Sequence, residues 1–132
     1  MSEAAPASAV TVLCVDDEVS LLKMLSRRLE SWGYRVLTAE NGEEGIRLAK
    51  AQRPNVVLLD VMMPGIDGLE VCRLLKGEPE TWQIPIILVT AKATQLAQHQ
   101  IEEAKVFAFV QKPYDPDELR TLIRQALEAK SG

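Results

Sequence analysis

The stretch Val56-Val-Leu-Leu-Asp60 is a continuous apolar run that ends in a carboxylate. A run without polar alternation is typical of a strand buried on both faces of a parallel sheet. Similar runs cover residues 10–15 and 84–89, and weaker ones cover residues 34–39 and 106–110. The five runs predict five strands, with the weaker two nearer the edges of the sheet.

Helical patterns lie between and after these runs. They cover residues 22–32, 41–53, 68–75, 93–104 and 115–127, and the fourth has the weakest apolar stripe. Asn41, followed three residues later by Glu44, has the form of a capping box for the second helix. Strict alternation of strand and helix predicts an α/β fold with a doubly wound five-stranded parallel sheet. Five strands suit the flavodoxin-like order 2-1-3-4-5.

The composition is that of one globular domain. The chain has 132 residues and a net charge of −4, so the basic stripe expected of a protein that binds nucleic acid directly is missing. No run approaches the roughly 18 apolar residues of a membrane span. Cys14 and Cys72 form no metal-binding or redox pattern, which favours reduced thiols and a cytoplasmic location. We expect a disordered tail over residues 1–9 and a domain over residues 10–130.

The most specific signal is the set of polar side chains at the ends of the predicted strands. Asp16 and Asp17 come after the first strand and Asp60 after the third, while Thr90 ends the fourth and Lys112 comes after the fifth. In an open parallel sheet the carboxyl ends of the strands meet at one edge, where ligands bind. Crowded carboxylates repel unless a cation intervenes, and oxygen-only ligands favour Mg²⁺, with Mn²⁺ as a second possibility. Together these groups predict phosphoryl transfer to a carboxylate nucleophile.

Simpler readings exist for each residue taken alone. Asp16 and Asp17 could merely cap the first helix and favour its dipole, and Asp60 could be an ordinary loop acid. An enzymatic alternative is a phosphatase that resembles the haloacid dehalogenases. Such a site usually needs a second aspartate two residues after the nucleophile, and here that position is Met62.

Four stretches resemble the receiver domain of two-component response regulators. They cover residues 12–18, 57–68, 87–91 and 109–114, and the similarity spans about residues 10–129. The resemblance implies that Asp60 is the phosphoacceptor and that Lys112 pairs with the phosphoryl group through a cis Lys112-Pro113 peptide. It also implies that Asp16, Asp17, Asp60 and the backbone carbonyl of Met62 hold Mg²⁺.

The resemblance also implies a conformational switch. Thr90 would move toward the phosphoryl group, and Phe109 would turn inward into the space that it leaves. The readout face would be the fourth helix, fifth strand and fifth helix. Family members often carry Tyr where this chain has Phe109, and Gly-Ala where it has Ala104-Lys105, so the geometry of that loop stays open.

The expected partners are a sensor histidine kinase or phosphotransfer protein and an unknown downstream protein. The chain ends soon after the fifth helix, so we expect a stand-alone receiver, monomeric or weakly dimeric through the readout face. We expect a switch that phosphorylates itself and loses the group slowly, rather than a turnover enzyme, because neither Met62 nor Lys92 can orient an attacking water. The alternative is a pseudo-receiver scaffold that binds partners without phosphorylation.

Overall fold

A five-stranded parallel sheet forms the centre of the molecule. The computed structural model describes residues 10–91 and 96–131, so the expected tail over residues 1–9 lies outside the described residues. The strands are Thr11–Val15 (β1), Arg35–Ala39 (β2), Val56–Leu59 (β3), Ile86–Thr90 (β4) and Ala108–Gln111 (β5). Their order is β2-β1-β3-β4-β5 and every pairing is parallel. The predicted fold class and strand order are therefore confirmed.

Helices cover both faces of this sheet. They are Val19–Ser31 (α1), Gly42–Gln52 (α2), Gly68–Lys76 (α3), Gln98–Ala104 (α4) and Pro116–Ser131 (α5). One buried cluster joins the sheet to α2, α3 and the end of α4. The other joins the opposite face to α1 and α5. Since β3 is covered on both faces, its run of four apolar residues needs no polar alternation.

Two predicted strands are displaced along the chain. The fourth begins at Ile86 and not at residue 84, because the backbone amide of Ile84 donates to Thr81 O at 3.0 Å within a turn. The fifth covers Ala108–Gln111 and not residues 106–110. Before it, Lys105 has φ 55°, so the chain turns through a left-handed residue where glycine would be free of strain. The first strand begins one residue late, at Thr11.

The fourth helix is shorter than predicted. It begins at Gln98, after Leu96 in a bend and Ala97 in extended conformation, so the prediction of a helix over residues 93–104 is wrong at Leu96 and Ala97. Residues 93–95 of that prediction lie outside the described residues. Alanine has no side-chain oxygen to cap the helix, and Gln100 Oε1 instead accepts from the Ala97 amide at 2.9 Å.

The capping box of the second helix is half confirmed. Asn41 Oδ1 accepts a hydrogen bond from the Glu44 amide at 2.8 Å. The reciprocal bond goes to a different donor, because Glu44 Oε1 accepts from the Glu40 amide at 2.9 Å. Glu44 therefore ties the helix to the end of β2 rather than to the N-cap residue itself.

Candidate functional site

Three carboxylates meet at the carboxyl ends of β1 and β3. Backbone hydrogen bonds from the Asp16 amide to Ala39 O (3.1 Å) and from the Asp60 amide to Val15 O (3.0 Å) fix the two positions. Oxygen atoms of Asp16, Asp17 and Asp60 all lie within 4.8 Å of one another. Asp16 is 7% exposed and Asp60 is 6% exposed, whereas Asp17 is the more open to solvent. The structure thus brings the three predicted carboxylate ligands together, and the role of the Met62 carbonyl stays a prediction.

Helix capping does not account for this cluster. The N-cap residue of α1 is Glu18, and its side chain makes no capping hydrogen bond. Asp16 Oδ1 accepts from the Glu18 amide at 2.9 Å, which occupies one oxygen of one carboxylate. Within the described residues, neither Asp16 Oδ2 nor the Asp17 or Asp60 side chain makes a hydrogen bond to the beginning of α1.

Lys112 lies between two of these carboxylates. Its Nζ atom is 2.6 Å from Asp16 Oδ2 and 3.6 Å from Asp60 Oδ2, and its side chain is 15% exposed. The Lys112-Pro113 peptide is cis, as the resemblance implies. Burial lowers the pKa of Lys112, but the hydrogen bond to Asp16 and the charge of Asp60 outweigh it, so the net pKa is raised. The ammonium is therefore held charged, and in this structure it hydrogen bonds Asp16 rather than Asp60.

The carboxyl group of Asp60 has a raised pKa. Burial is the largest cause, the charge of Lys112 opposes it, and the charge of Asp16 adds to it. Hydrogen bonds from the Met62 amide, at 3.2 Å to Oδ1, and from the Thr90 side chain favour the ionised form but do not outweigh the burial. Because burial disfavours the ionised form of Asp60, a nearby cation would stabilise that carboxylate.

The loop after Asp60 is fixed by close backbone packing. Gly65 has φ 79°, which favours glycine. A Cβ atom on Gly68 would lie 2.5 Å from Asp60 O and 2.7 Å from Val61 Cα, so only glycine fits without displacing the backbone of Asp60. The Gly68 amide donates to Val61 O at 2.9 Å. The beginning of α3 is thereby packed directly against the backbone of Asp60 and Val61.

The two predicted switch residues lie on neighbouring strands. Thr90 ends β4, is fully buried and contributes a side-chain hydrogen bond to Asp60. Phe109 lies on β5, where it pairs with Leu88 of β4, and it is 46% exposed. The structure therefore combines a threonine directed to the site with an aromatic ring on the outside. Their roles as a coupled switch stay a prediction.

Sequence reasoning missed two features of the surroundings. Gln111 Nε2 donates to Ala91 O at 2.9 Å. No local sequence motif predicts a hydrogen bond between residues twenty positions apart. A cavity of about 430 Å³ also runs from Asp60 and Lys112 along α1, where Leu21 and Met24 are exposed to solvent. The signal for it was Met24, an apolar residue on the polar side of the α1 pattern.

The donor set of the site fits a hard divalent cation. Its side-chain ligand atoms are carboxylate oxygens, and the one ammonium group nearby, among the described residues, balances one of three negative charges. Mg²⁺ binds through one or two carboxylates while keeping several waters. The arrangement of Asp16, Asp17 and Asp60 matches that requirement.

Comparison with known proteins identifies the family. The model of the response regulator receiver domain matches residues 12–124, and the chain belongs to this family of two-component systems. It is 36% identical over 116 residues to Protein PilH of Pseudomonas aeruginosa, covering 88% of this chain and 96% of that protein. Domains of this family act as phosphorylation-based switches.

Other curated relatives are longer than this chain. The probable transcriptional regulator ycf27 of Cyanophora paradoxa is 41% identical over 116 residues, which cover 88% of this chain and 47% of that protein. The chain thus spans about half the length of such relatives. What those proteins regulate is a property of the whole proteins.

Solved structures show the same fold. A putative response regulator from Chloroflexus aurantiacus superposes with a TM-score of 0.84 at 32% identity, covering 91% of this chain and 98% of that one. The receiver domain of sensor histidine kinase PA1611 from Pseudomonas aeruginosa, solved with magnesium in its active-site cleft, gives 0.84 at 27% identity, with 91% and 98% covered. Within the described ranges of the present chain, no helix has the length and apolar character needed to cross a membrane.

Proposed function

We propose that this chain is a switch of a two-component phosphorelay that takes a phosphoryl group onto Asp60 from the phosphohistidine of a sensor histidine kinase or phosphotransfer protein. The observation that carries the proposal is the placement of the Lys112 ammonium 3.6 Å from Asp60 Oδ2, beside two further carboxylates. A cation in that position can neutralise charge on the transferred group.

Phosphoryl transfer to Asp60 forms one bond to phosphorus and breaks another. An oxygen of Asp60 forms a bond to phosphorus as the bond between phosphorus and the donor imidazole nitrogen breaks, and the imidazole keeps the electron pair and takes up a proton. Lys112 is positioned to hydrogen bond one phosphoryl oxygen, and the hydroxyl of Thr90 a second one. The backbone amide of Met62, already bonded to Asp60, can stabilise the negative charge on the same side.

Mg²⁺ is the proposed cofactor, and Mn²⁺ has the same ligand preference. Asp16, Asp17, Asp60 and the backbone carbonyl of Met62 would hold it. When bound, the ion neutralises charge on the acceptor and on the phosphoryl oxygens. The chain itself keeps the three carboxylates within one ligand sphere and buries two of them.

The test is incubation of the purified chain with acetyl phosphate and Mg²⁺, followed by intact-mass measurement. We expect a gain of one phosphoryl group that is lost in Asp60→Asn and in samples with a chelator. Asp67→Asn is the matched control, because Asp67 is an exposed carboxylate whose Oδ1 accepts from Glu70 N and asparagine keeps that bond. A chain that stays unmodified under these conditions would be the pseudo-receiver scaffold instead.

The exposed face of α1 is the proposed docking site for the phosphodonor protein. It adjoins Asp60 through the cavity of about 430 Å³. Met24 is 62% exposed and Leu21 is 37% exposed beside that opening, and apolar surface next to a reactive group is typical of an interaction site. Arg28 also lines the opening and can pair with an acidic group of the donor.

A single substitution separates docking from chemistry. Met24→Asp should slow transfer from a phosphorylated donor protein at least tenfold and leave the rate with acetyl phosphate unchanged. Ser31→Asp places the same charge at the far end of α1 and should affect neither rate. Equal transfer from the donor to Met24→Asp and to the unmodified chain would place the docking surface elsewhere.

The proposed output is a change in the face formed by α4, β5 and α5, which is read by a downstream protein. Phe107 and Phe109 expose 39% and 46% of their surface on this side. We propose that the chain is a monomer or forms a weak dimer through this face. The net charge of −4 disfavours direct binding to nucleic acid, and the proposed location is cytoplasmic.

We also propose that the phosphoryl group decays slowly, so that the chain is a timed switch and not a turnover enzyme. Met62, two residues after Asp60, is 53% exposed and has no group that can orient water. Lys92, two residues after Thr90, offers neither an acid nor an amide. The half-life of the purified phosphoprotein should be of the order of many minutes or longer, and decay within seconds would refute the proposal.

A further inference from the structure

The hydrogen bond between Gln111 and Ala91 joins the two strands that carry the predicted switch. Thr90 and Gln111 are partners in the register of β4 and β5. The side chain of Gln111 reaches past that pairing, and its Nε2 donates to Ala91 O at 2.9 Å. Ala91 directly follows Thr90, so the bond fixes the chain on the far side of the residue that contacts Asp60.

Gln111 also lies on the same face of β5 as Phe109. Residues two apart on a strand lie on the same face, and both side chains are exposed in the burial pattern of β5. Phe109 is 46% exposed, and Gln111 follows it two residues later on the same exposed face of β5. The side chain that holds Ala91 and the ring of the predicted switch are therefore neighbours on the edge strand.

We propose that Gln111 is a positioning residue that holds Ala91, and with it the end of β4, in the arrangement of the unphosphorylated protein and so opposes the switch. The inference rests on the proposed function and deepens it. A phosphoryl group on Asp60 adds acceptor oxygens that draw Thr90 toward the site. A bond made in only one of two states shifts the balance between them. Loss of the bond to Ala91 is then part of the cost of switching.

The expected effect is modest because the bond is exposed. One neutral hydrogen bond contributes about 1 kcal/mol, equivalent to about a fivefold change in an equilibrium constant. Removing it should make about five times more of the chain competent for the switched state. The apparent affinity for a phosphoryl mimic should rise by the same factor.

The chain contains two phenylalanines, which allows a direct measurement. Labelling with fluorophenylalanine gives one fluorine resonance for Phe109 and one for Phe107, and a Phe107→Leu sample assigns the two. The chain is titrated with fluoroberyllate, a stable mimic of the phosphoryl group, in the presence of Mg²⁺. Fluorine bound in the site gives its own signal, so occupancy of the site and movement of Phe109 are read separately in one sample.

Three variants test the role of the amide. Gln111→Met keeps the length of the side chain and cannot donate, so the midpoint of the Phe109 transition should fall about fivefold. Gln111→Lys restores a donor of sufficient reach and should return the midpoint close to that of the original chain. Gln125→Met is the matched control, because Gln125 is an exposed glutamine for which no side-chain hydrogen bond is found within the described residues.

Each result is decisive. A midpoint in Gln111→Met that is unchanged or higher overturns the inference, as does an equal shift in Gln111→Lys. If fluoroberyllate occupies the site but the Phe109 resonance does not respond, the inference fails while phosphorylation of Asp60 stands. If nothing occupies the site and Asp60 gains no phosphoryl group, the proposed function fails first and the inference falls with it.

Discussion

The strands β3 and β5 belong to one sheet but differ in how much of their surface is buried. All four residues of β3 are buried, and their exposed fractions do not exceed 1%. In β5 only Val110 is buried, and Phe109 and Gln111 are open to solvent. Asp60, the proposed acceptor, follows the fully buried central strand, whereas the predicted reporter Phe109 lies on the edge strand. A chemical site needs fixed geometry, and a readout needs an element that moves at low cost.

The largest effect should come from the core of the central strand. Leu59→Ala removes a fully buried side chain beside the acceptor and should lower the free energy of unfolding by about 3 kcal/mol, as large-to-small core substitutions do. Phe109→Ala removes a larger side chain from the edge strand and should cost less than about 1 kcal/mol, because nearly half of it is in water. Urea unfolding measures both, and equal losses would remove the distinction between the strands.

Removal of the Lys112 ammonium group should affect the rate of phosphorylation almost as strongly. In Lys112→Met the phosphoryl group loses its ammonium partner, and the rate of phosphorylation by acetyl phosphate with saturating Mg²⁺ should fall about 100-fold, as when one charge-stabilising donor is removed. Lys105→Met changes an exposed lysine in the turn before β5 and should leave the rate unchanged. A Lys112→Met chain that reacts at the normal rate would show that the metal site alone stabilises the transferred group.

The close approach of α3 to the acceptor gives the next effect in size. Gly68→Ala puts a Cβ atom 2.5 Å from Asp60 O, within backbone that cannot yield easily, and should cost about 2 kcal/mol of stability. Gly77→Ala adds the same atom at the other end of α3, where its closest contact is an acceptable 3.4 Å and φ is −89°. Its stability should change by less than about 0.5 kcal/mol. Similar stability changes in the two variants would mean that the contact between the added atom and Asp60 O does not determine the cost.

The same difference between strands explains what the sequence could predict. The continuous apolar runs specify β3 and its neighbours because burial on both faces leaves one solution. Asp16, Asp60, Thr90 and Lys112 could be placed at one edge because strand ends in a parallel sheet converge. The bounds of β5 and the start of α4 were wrong, since exposed elements with few apolar residues are determined by local turns such as the left-handed Lys105.

Side-chain partners were harder to predict than positions. The sequence did not indicate that the closest partner of Lys112 would be Asp16, at 2.6 Å, and the pairing of Lys112 with a phosphoryl group stays a prediction. Nothing in the sequence distinguishes the two aspartates, because the choice depends on distances of an ångström between neighbouring strands. The bond from Gln111 to Ala91 is of the same kind, since it depends on the register of β4 with β5.

The smallest predicted effect concerns Asp60 itself and the pH. Burial is the main cause that raises the pKa of Asp60 above its usual 3.8 in the folded state. Between that value and the raised one, the folded protein binds more protons than the unfolded chain, so its stability falls as the pH rises through this window. Asparagine cannot ionise, and Asp60→Asn should therefore gain stability over the native chain as the pH rises through this window.

Urea unfolding without divalent ions, from about pH 4 to about pH 8, measures this gain. It should be near zero at the acid end, increase through the window and level off above it. Asp67→Asn, at an exposed position on the same loop, should show no such rise. Added Mg²⁺ should make the native chain more stable than Asp60→Asn at neutral pH, since the ion stabilises only a chain that keeps the Asp60 carboxylate. A difference independent of pH would mean that Asp60 is not held in an unfavourable charged state, and the central strand would then not end in a poised acceptor.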